Sequence, residues 1–102
     1  MYNLLITEIA EHDLDGIVDY ITGKLANPAA ACAFLDKIED CYGFLKRTPR
    51  MFNECADAYL KSRGYRKAPI NNYLLIFRID GKARAVYVLR FFYGGQDYIK
   101  QL

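Results

Sequence analysis

The sequence predicts an α+β fold: an N-terminal strand and a helical hairpin packed on an antiparallel β-sheet, in the order β-α-α-β-β-β with an optional short C-terminal helix. Three observations predict it. Apolar residues recur twice at helical spacing before residue 48. From residue 65 the period changes to two, with β-branched and aromatic enrichment. Turn-forming pairs punctuate the second half at Asn71-Asn72, Asp80-Gly81 and Gly94-Gly95. Helices first and a strand meander afterwards is an α+β arrangement.

Residues 2–6 (Tyr-Asn-Leu-Leu-Ile) are a short apolar run, read as a strand ended by Thr7. Leu14, Ile17, Val18, Ile21 and Leu25 then lie on one face of a helix expected over residues 8–25. Thr7 suits its N-cap, and Glu8, Glu11, Asp13 and Asp15 suit the positive end of its dipole. Asn27-Pro28 restarts the chain as N-cap and first helical residue. Ala31, Phe34, Leu35, Ile38, Cys41, Tyr42 and Leu45 make the stripe of a second helix, which ends before Thr48-Pro49. The short link between the helices implies an antiparallel hairpin. Residues 48–64 are the least readable stretch, with a short helix expected near Glu54–Leu60. Strands are expected at Tyr65–Ile70, Tyr73–Ile79 and Ala83–Phe92, with Pro69 marking an edge and Asp80-Gly81 a tight hairpin turn. Gln96–Leu102 reads as a short helix or tail. The last two strands are apolar on both faces near their middles, so both faces need cover. The helical hairpin covers one. The C-terminal tail, a second subunit or a partner peptide must cover the other.

A chain of 102 residues, 53% hydrophobic and 25% charged, is expected to form a single domain over residues 1–102. Cys32, Cys41 and Cys55 are odd in number and fit no zinc spacing, so neither a disulfide scaffold nor a metal site is expected. No apolar run reaches a membrane span, and residues 1–6 lack a basic leader. A cytoplasmic location with no membrane partner is the expectation. The net charge of +2 is unevenly spread. Residues 1–45 carry two basic and eight acidic groups, a net −6, and residues 46–102 carry twelve basic and four acidic, a net +8. Such a basic half can attract a polyanion although the whole chain is nearly neutral.

No phosphate-binding glycine loop, zinc-protease motif or serine-nucleophile elbow is present. The only histidine, His12, falls on the polar first helix and reads as a surface residue remote in sequence from the basic half. No cofactor is implied. Arg66, Lys67, Arg78, Arg84 and Arg90 alternate with Tyr65, Tyr73, Tyr87, Phe92, Tyr93 and Tyr98 in the strand region. Cations beside aromatic rings suit single-stranded nucleic acid or an acidic, amphipathic protein segment, and equally suit core tyrosines with edge arginines. An arginine inside an apolar strand, as at Arg78 and Arg90, needs a carboxylate, a carbonyl or a ligand.

Three stretches together resemble the RelE/ParE superfamily, toxins of type II toxin–antitoxin systems also known as plasmid stabilisation proteins. They are Leu14–Ile21, then Gly64–Lys67 with Asn72–Asp80, and finally Val86–Tyr98. The resemblance covers nearly the whole chain and implies the same helical hairpin on an antiparallel sheet. It also implies a cognate antitoxin whose C-terminal segment wraps the toxin's apolar and basic surfaces. Operator DNA would be reached only indirectly, through that antitoxin.

The family divides by target: ParE-like members inhibit DNA gyrase, and RelE-like members cleave mRNA in the ribosome. For a nuclease, the resemblance puts Lys67, Arg90 and Tyr93 in catalytic positions. Arg66, Arg78, Arg84, Phe92 and Tyr98 would contact the target or the antitoxin. Two departures count against RNA cleavage. Leu74 stands where the nucleases have an arginine, and Tyr93-Gly94-Gly95 replaces a His-Gly-Arg ending. A tyrosine hydroxyl, titrating near 10 in water, is a poor base without cationic neighbours such as Arg90. The balance favours gyrase binding without enzymatic activity. The alternatives are a ribosome-dependent mRNA endoribonuclease and an inactive antitoxin-binding domain.

Overall fold

The computed structural model describes residues 1–102. Strand β1 (Asn3–Ile6) leads into helix α1 (Glu8–Asp19), and a widened helical turn (Tyr20–Lys24) precedes helix α2 (Pro28–Arg47). A single tight turn (Pro49–Met51) and the short helix α3 (Ala58–Ser62) lead to strands β2 (Tyr65–Ile70), β3 (Tyr73–Asp80) and β4 (Ala85–Tyr93). A final turn of 3-10 helix covers Tyr98–Gln101. The sheet order is β1-β4-β3-β2. The β2-β3-β4 meander is antiparallel, as the hairpin turns predict. β1 adds to β4 in parallel, Asn3 opposite Ala85 and Ile6 opposite Val88, so the complete sheet is mixed.

Helix α1 starts where Thr7 accepts the Ala10 N–H at 3.1 Å, as expected of an N-cap. The helix does not keep its pitch to residue 25. Thr22 donates its hydroxyl to the Val18 carbonyl, and the Leu25 N–H reaches five residues back to Tyr20. This wider turn advances the register by a residue. Leu25, assigned by spacing to the apolar stripe, is therefore turned outward and 56% exposed. Ala26, at φ +48°, breaks the helix, and Asn27 caps α2 through the Ala30 N–H. The α2 stripe is buried at Ala31, Phe34, Ile38, Cys41 and Leu45.

The helices cover one sheet face. Their core joins Phe34, Ile38 and Leu45 to Leu75, Phe77, Val86, Val88 and Phe91. The cover needed by the opposite face comes from the chain itself. Cys55 and Leu60 pack on Ile76 and Phe92, flanked by Tyr98 and Leu102. The short helix expected near Glu54–Leu60 is α3, shifted to Ala58–Ser62, with Asp57 capping it through the Leu60 N–H. The β3–β4 turn is also longer than the expected tight hairpin. Asp80 closes it by accepting the Ala83 N–H, Arg84 takes φ +50°, and β4 begins at Ala85 rather than Ala83.

One irregularity orients the far end of β4. Ile76 pairs with Arg90 and Phe77 with Val88, leaving Leu89 as a bulge. Side chains alternate across a strand, so the extra residue reverses the alternation beyond it. Phe91, not Arg90, then follows Val88 into the helix-facing core. Arg90 is left at the strand edge vacated where β1 ends, and α1 borders it there.

Candidate functional site

A cleft of about 590 Å³ opens between α1 and the end of β4. Its lining includes His12, Asp13 and Tyr20 from the N-terminal half, and Tyr73, Arg90, Phe91, Tyr93 and Gln96 from the sheet half. The chain's acidic and basic halves meet here. Asp13 Oδ2 accepts Arg90 Nε at 2.7 Å, and Asp13 Oδ1 accepts Arg90 Nη2 at 3.2 Å. The same Oδ2 accepts the Phe91 N–H at 3.1 Å, satisfying a backbone donor that β1 is too short to reach. Both side chains are largely covered, at 18% exposure for Arg90 and 14% for Asp13. The Arg90 guanidinium also lies 4.7 Å from the Phe92 ring centroid. The carboxylate that an in-strand arginine requires is therefore supplied from α1.

The opposite wall is aromatic. Tyr73 meets Tyr93 edge-on at 5.9 Å and Phe34 at 5.3 Å. Burial, with smaller contributions from Tyr20 and Tyr93, pushes the Tyr73 hydroxyl above its ordinary range. Tyr93 is held at the rim by a reciprocal clasp, in which its N–H donates to Gln96 Oε1 and its carbonyl accepts from Gln96 N, each at 3.0 Å. Its ring lies over the Gly94-Gly95 turn. A Cβ at residue 95 would sit 2.8 Å from that ring, so an arginine there would have to displace Tyr93. The cleft offers aromatic walls, one neutralised cation and an exposed imidazole. That combination suits an apolar or aromatic side chain carrying a polar tip.

Arg90 and Tyr93 line this cleft and Lys67 does not, although Lys67, Ile76 and Arg90 form one row across β2, β3 and β4. Lys67 pairs with Ile76, on the sheet face that carries Cys55 and Phe92, while Tyr93 pairs with Tyr73 on the face toward α2. His12 is exposed, as its polar helix suggests, yet the fold brings it beside Arg90 and Tyr93. Sequence separation concealed that neighbourhood. The available signal was that Asp13, next to it, lies on the same helix as the apolar stripe.

The remaining residues expected at a binding surface divide. Arg66 ties the preceding loop to β2, donating to the Phe52 carbonyl at 2.7 Å and pairing with Glu54 at 3.8 Å. Arg78 lies 4.2 Å over the Tyr87 ring, in a row that runs Tyr65, Arg78, Tyr87, Leu5 across all four strands. Arg84 is exposed on the β3–β4 turn, 4.9 Å over Tyr2. Phe92, expected at a binding surface, is buried within the chain. It is 2% exposed and stacks on Tyr98 at 5.7 Å, both belonging to the smaller core. No group of three or more His, Cys, Asp or Glu side chains comes together to hold a metal. No helix is long and apolar enough to cross a membrane.

Comparison with known proteins bears on this geometry. The family described as the ParE toxin of the type II toxin–antitoxin system parDE matches residues 4–98. Among curated proteins none is a sequence match. The fold is similar to a chain of the chromosomal ParDE toxin–antitoxin system from P. aeruginosa, with a TM-score of 0.72 and 22% identity, covering 91% of this chain and 96% of that one. It is also similar to a chain of the RelBE2 toxin–antitoxin complex from Mycobacterium tuberculosis, with a TM-score of 0.63 and 25% identity, covering 90% of this chain and 96% of the other.

Proposed function

Because the chain belongs to the ParE toxin family of type II toxin–antitoxin systems, we propose that it is a growth-inhibiting toxin that a cognate antitoxin silences and that acts by binding DNA gyrase. The observation that carries the binding mechanism is that Lys67 and Tyr93 lie on opposite sheet faces and that the cation in the cleft, Arg90, is already paired. Cleavage of RNA needs a base at the attacking 2′-hydroxyl and cations at the developing phosphorane, all within reach of one phosphate. Lys67 lies on the face opposite Tyr93, and Asp13 neutralises Arg90. The cleft supports the antitoxin contact. Tyr20 and Tyr93, exposed by 48% and 53%, frame it, and Leu25, 56% exposed, lines the adjoining pocket that shares both tyrosines, giving apolar surface that a partner segment can bury.

The test is a supercoiling assay with purified gyrase, run beside a ribosomal mRNA-cleavage assay. Inhibition of supercoiling without cleavage is expected, and stoichiometric antitoxin restores supercoiling. Cleavage without inhibition overturns the gyrase reading. One observation favours the endoribonuclease as a second reading: His12, a general base by chemistry, shares the cleft with Arg90 and Tyr93. On that reading His12→Ala lowers cleavage by 10²-fold or more, with the fold intact by circular dichroism.

A further inference from the structure

A group of cations outside every ion pair lies away from the cleft, where α2 ends and the β3–β4 turn folds beside it. Lys46, Arg47, Arg50, Lys82 and Arg84 are all exposed there. Backbone contacts hold them together. Tyr2 N donates to the Lys46 carbonyl and Asn3 N to the Arg84 carbonyl, each at 2.8 Å. Arg50 reaches the other turn, with Nη2 3.5 Å from the position a Cβ on Gly81 would take. The molecule's three ion pairs, Arg66–Glu54, Arg90–Asp13 and Lys100–Asp97, involve none of the five. Asp80, the carboxylate nearest in sequence to Lys82 and Arg84, is engaged by the Ala83 N–H.

Folding accounts for only part of this group. Lys46 and Arg47 complement the negative end of the α2 dipole. Arg50, Lys82 and Arg84 have no such role. Like charges gathered on one end of the molecule raise its local positive potential and favour an anion there. The exposed acids Glu8, Glu11, Asp15 and Asp19 lie on α1, so a polyanion is repelled by that helix and drawn to this end.

The aromatic groups here narrow the kind of anion. Arg84 lies 4.9 Å over Tyr2, and Arg47 lies 5.4 Å over Phe44. The chain's own guanidinium groups already occupy one face of each of these rings. Single-stranded nucleic acid draws much of its affinity from bases stacked on free rings. A duplex keeps its bases stacked and presents rows of phosphates that exposed cations can meet. We propose that this end of the molecule docks the phosphate backbone of duplex DNA without sequence preference. The contact is the chain's own. It needs neither the antitoxin nor the gyrase reading, and departs from the expectation that DNA is reached only through a partner.

Fluorescence anisotropy with a labelled random-sequence DNA duplex tests it across a salt series. The logarithm of the association constant should fall linearly with the logarithm of salt concentration, with a slope of about −3 to −4. The triple variant Lys46→Gln, Arg50→Gln, Lys82→Gln should bind at least tenfold more weakly and lose most of that slope. The variant Lys24→Gln, Lys61→Gln, Lys100→Gln removes the same charge elsewhere and should stay within about twofold of the parent. Circular dichroism checks that both variants fold, and Lys82→Gln alone, on an exposed turn, should bind about threefold more weakly. Equal losses in the two triple variants overturn the proposal. So does single-stranded DNA binding as tightly as duplex, or no binding at low salt.

Discussion

Asp13 and Arg90, 77 positions apart in sequence, form a two-point ion pair that also binds the Phe91 N–H. The pair fastens α1 to the end of β4 at the floor of the cleft. Asp13→Ala leaves a guanidinium and a backbone donor without partners in a largely covered site. It should lower unfolding free energy by about 2–3 kcal/mol. Arg90→Ala should cost a similar amount, because it leaves the Asp13 carboxylate unpaired in the same largely covered site. Urea denaturation of both single variants and the double variant measures the coupling. A double-variant loss equal to the sum of the single losses refutes the pairing.

Thr7 serves two elements with one hydroxyl. It accepts the Ala10 N–H and donates to the carbonyl of Leu89, the bulged residue. Thr7→Ala should destabilise by about 1–2 kcal/mol, and Thr7→Ser by less than half of that, because serine keeps the hydroxyl. Thermal unfolding followed by circular dichroism distinguishes the two.

The stack of Tyr98 on Phe92 helps close the smaller core over Cys55. Tyr98→Ala should cost about 1–2 kcal/mol and accelerate modification of Cys55 by a thiol reagent. Cys32, exposed in the parent, should react at once in both proteins. Unchanged Cys55 protection in the variant means that the tail does not seal this face.

Alkaline pH should weaken the fold through α2. Burial raises the Cys41 thiol from 9.0 to about 11, and burial, with Cys41, Glu39 and Glu11 nearby, raises Tyr42 from 10.0 to about 12. Below pH 9 both groups are protonated folded or unfolded, and stability does not depend on them. From about pH 9 to 11 the unfolded chain releases the Cys41 proton while the folded chain keeps it, so stability falls as pH rises. The Cys41 contribution is about 2 kcal/mol over that span. Cys41→Ala should flatten this part of a stability–pH curve while lowering its neutral plateau. An unchanged slope in that variant removes Cys41 as the cause.

The helices were legible because Phe34, Ile38, Cys41 and Leu45 repeat a period that only one buried face explains. The meander was legible because Pro69 and the paired asparagines mark an edge and a turn. Two single-residue departures were not. The hydroxyl of Thr22 competes for helix carbonyls, and no spacing rule foretells the wide turn that swings Leu25 out. The Leu89 bulge, likewise, inverts which of Arg90 and Phe91 enters the core. The site suffered most from such effects. Its aromatic wall could be guessed from composition, but the Asp13–Arg90 pair and the place of His12 depend on where β1 stops. The burial of Phe92 within the chain was not legible, because a strand apolar on both sides reads the same whether its cover is internal or borrowed.

The parallel pairing of β1 with β4 carries a consequence for biosynthesis. β1 leaves the ribosome early, yet its sheet partner is translated some 80 residues later, and Thr7 waits equally long for Leu89. Until then the helical hairpin has no finished surface to rest on, because Val86, Val88 and Phe91 supply much of its floor. A nascent product lacking β4 therefore has neither the cleft nor the main core, and is open to proteolysis.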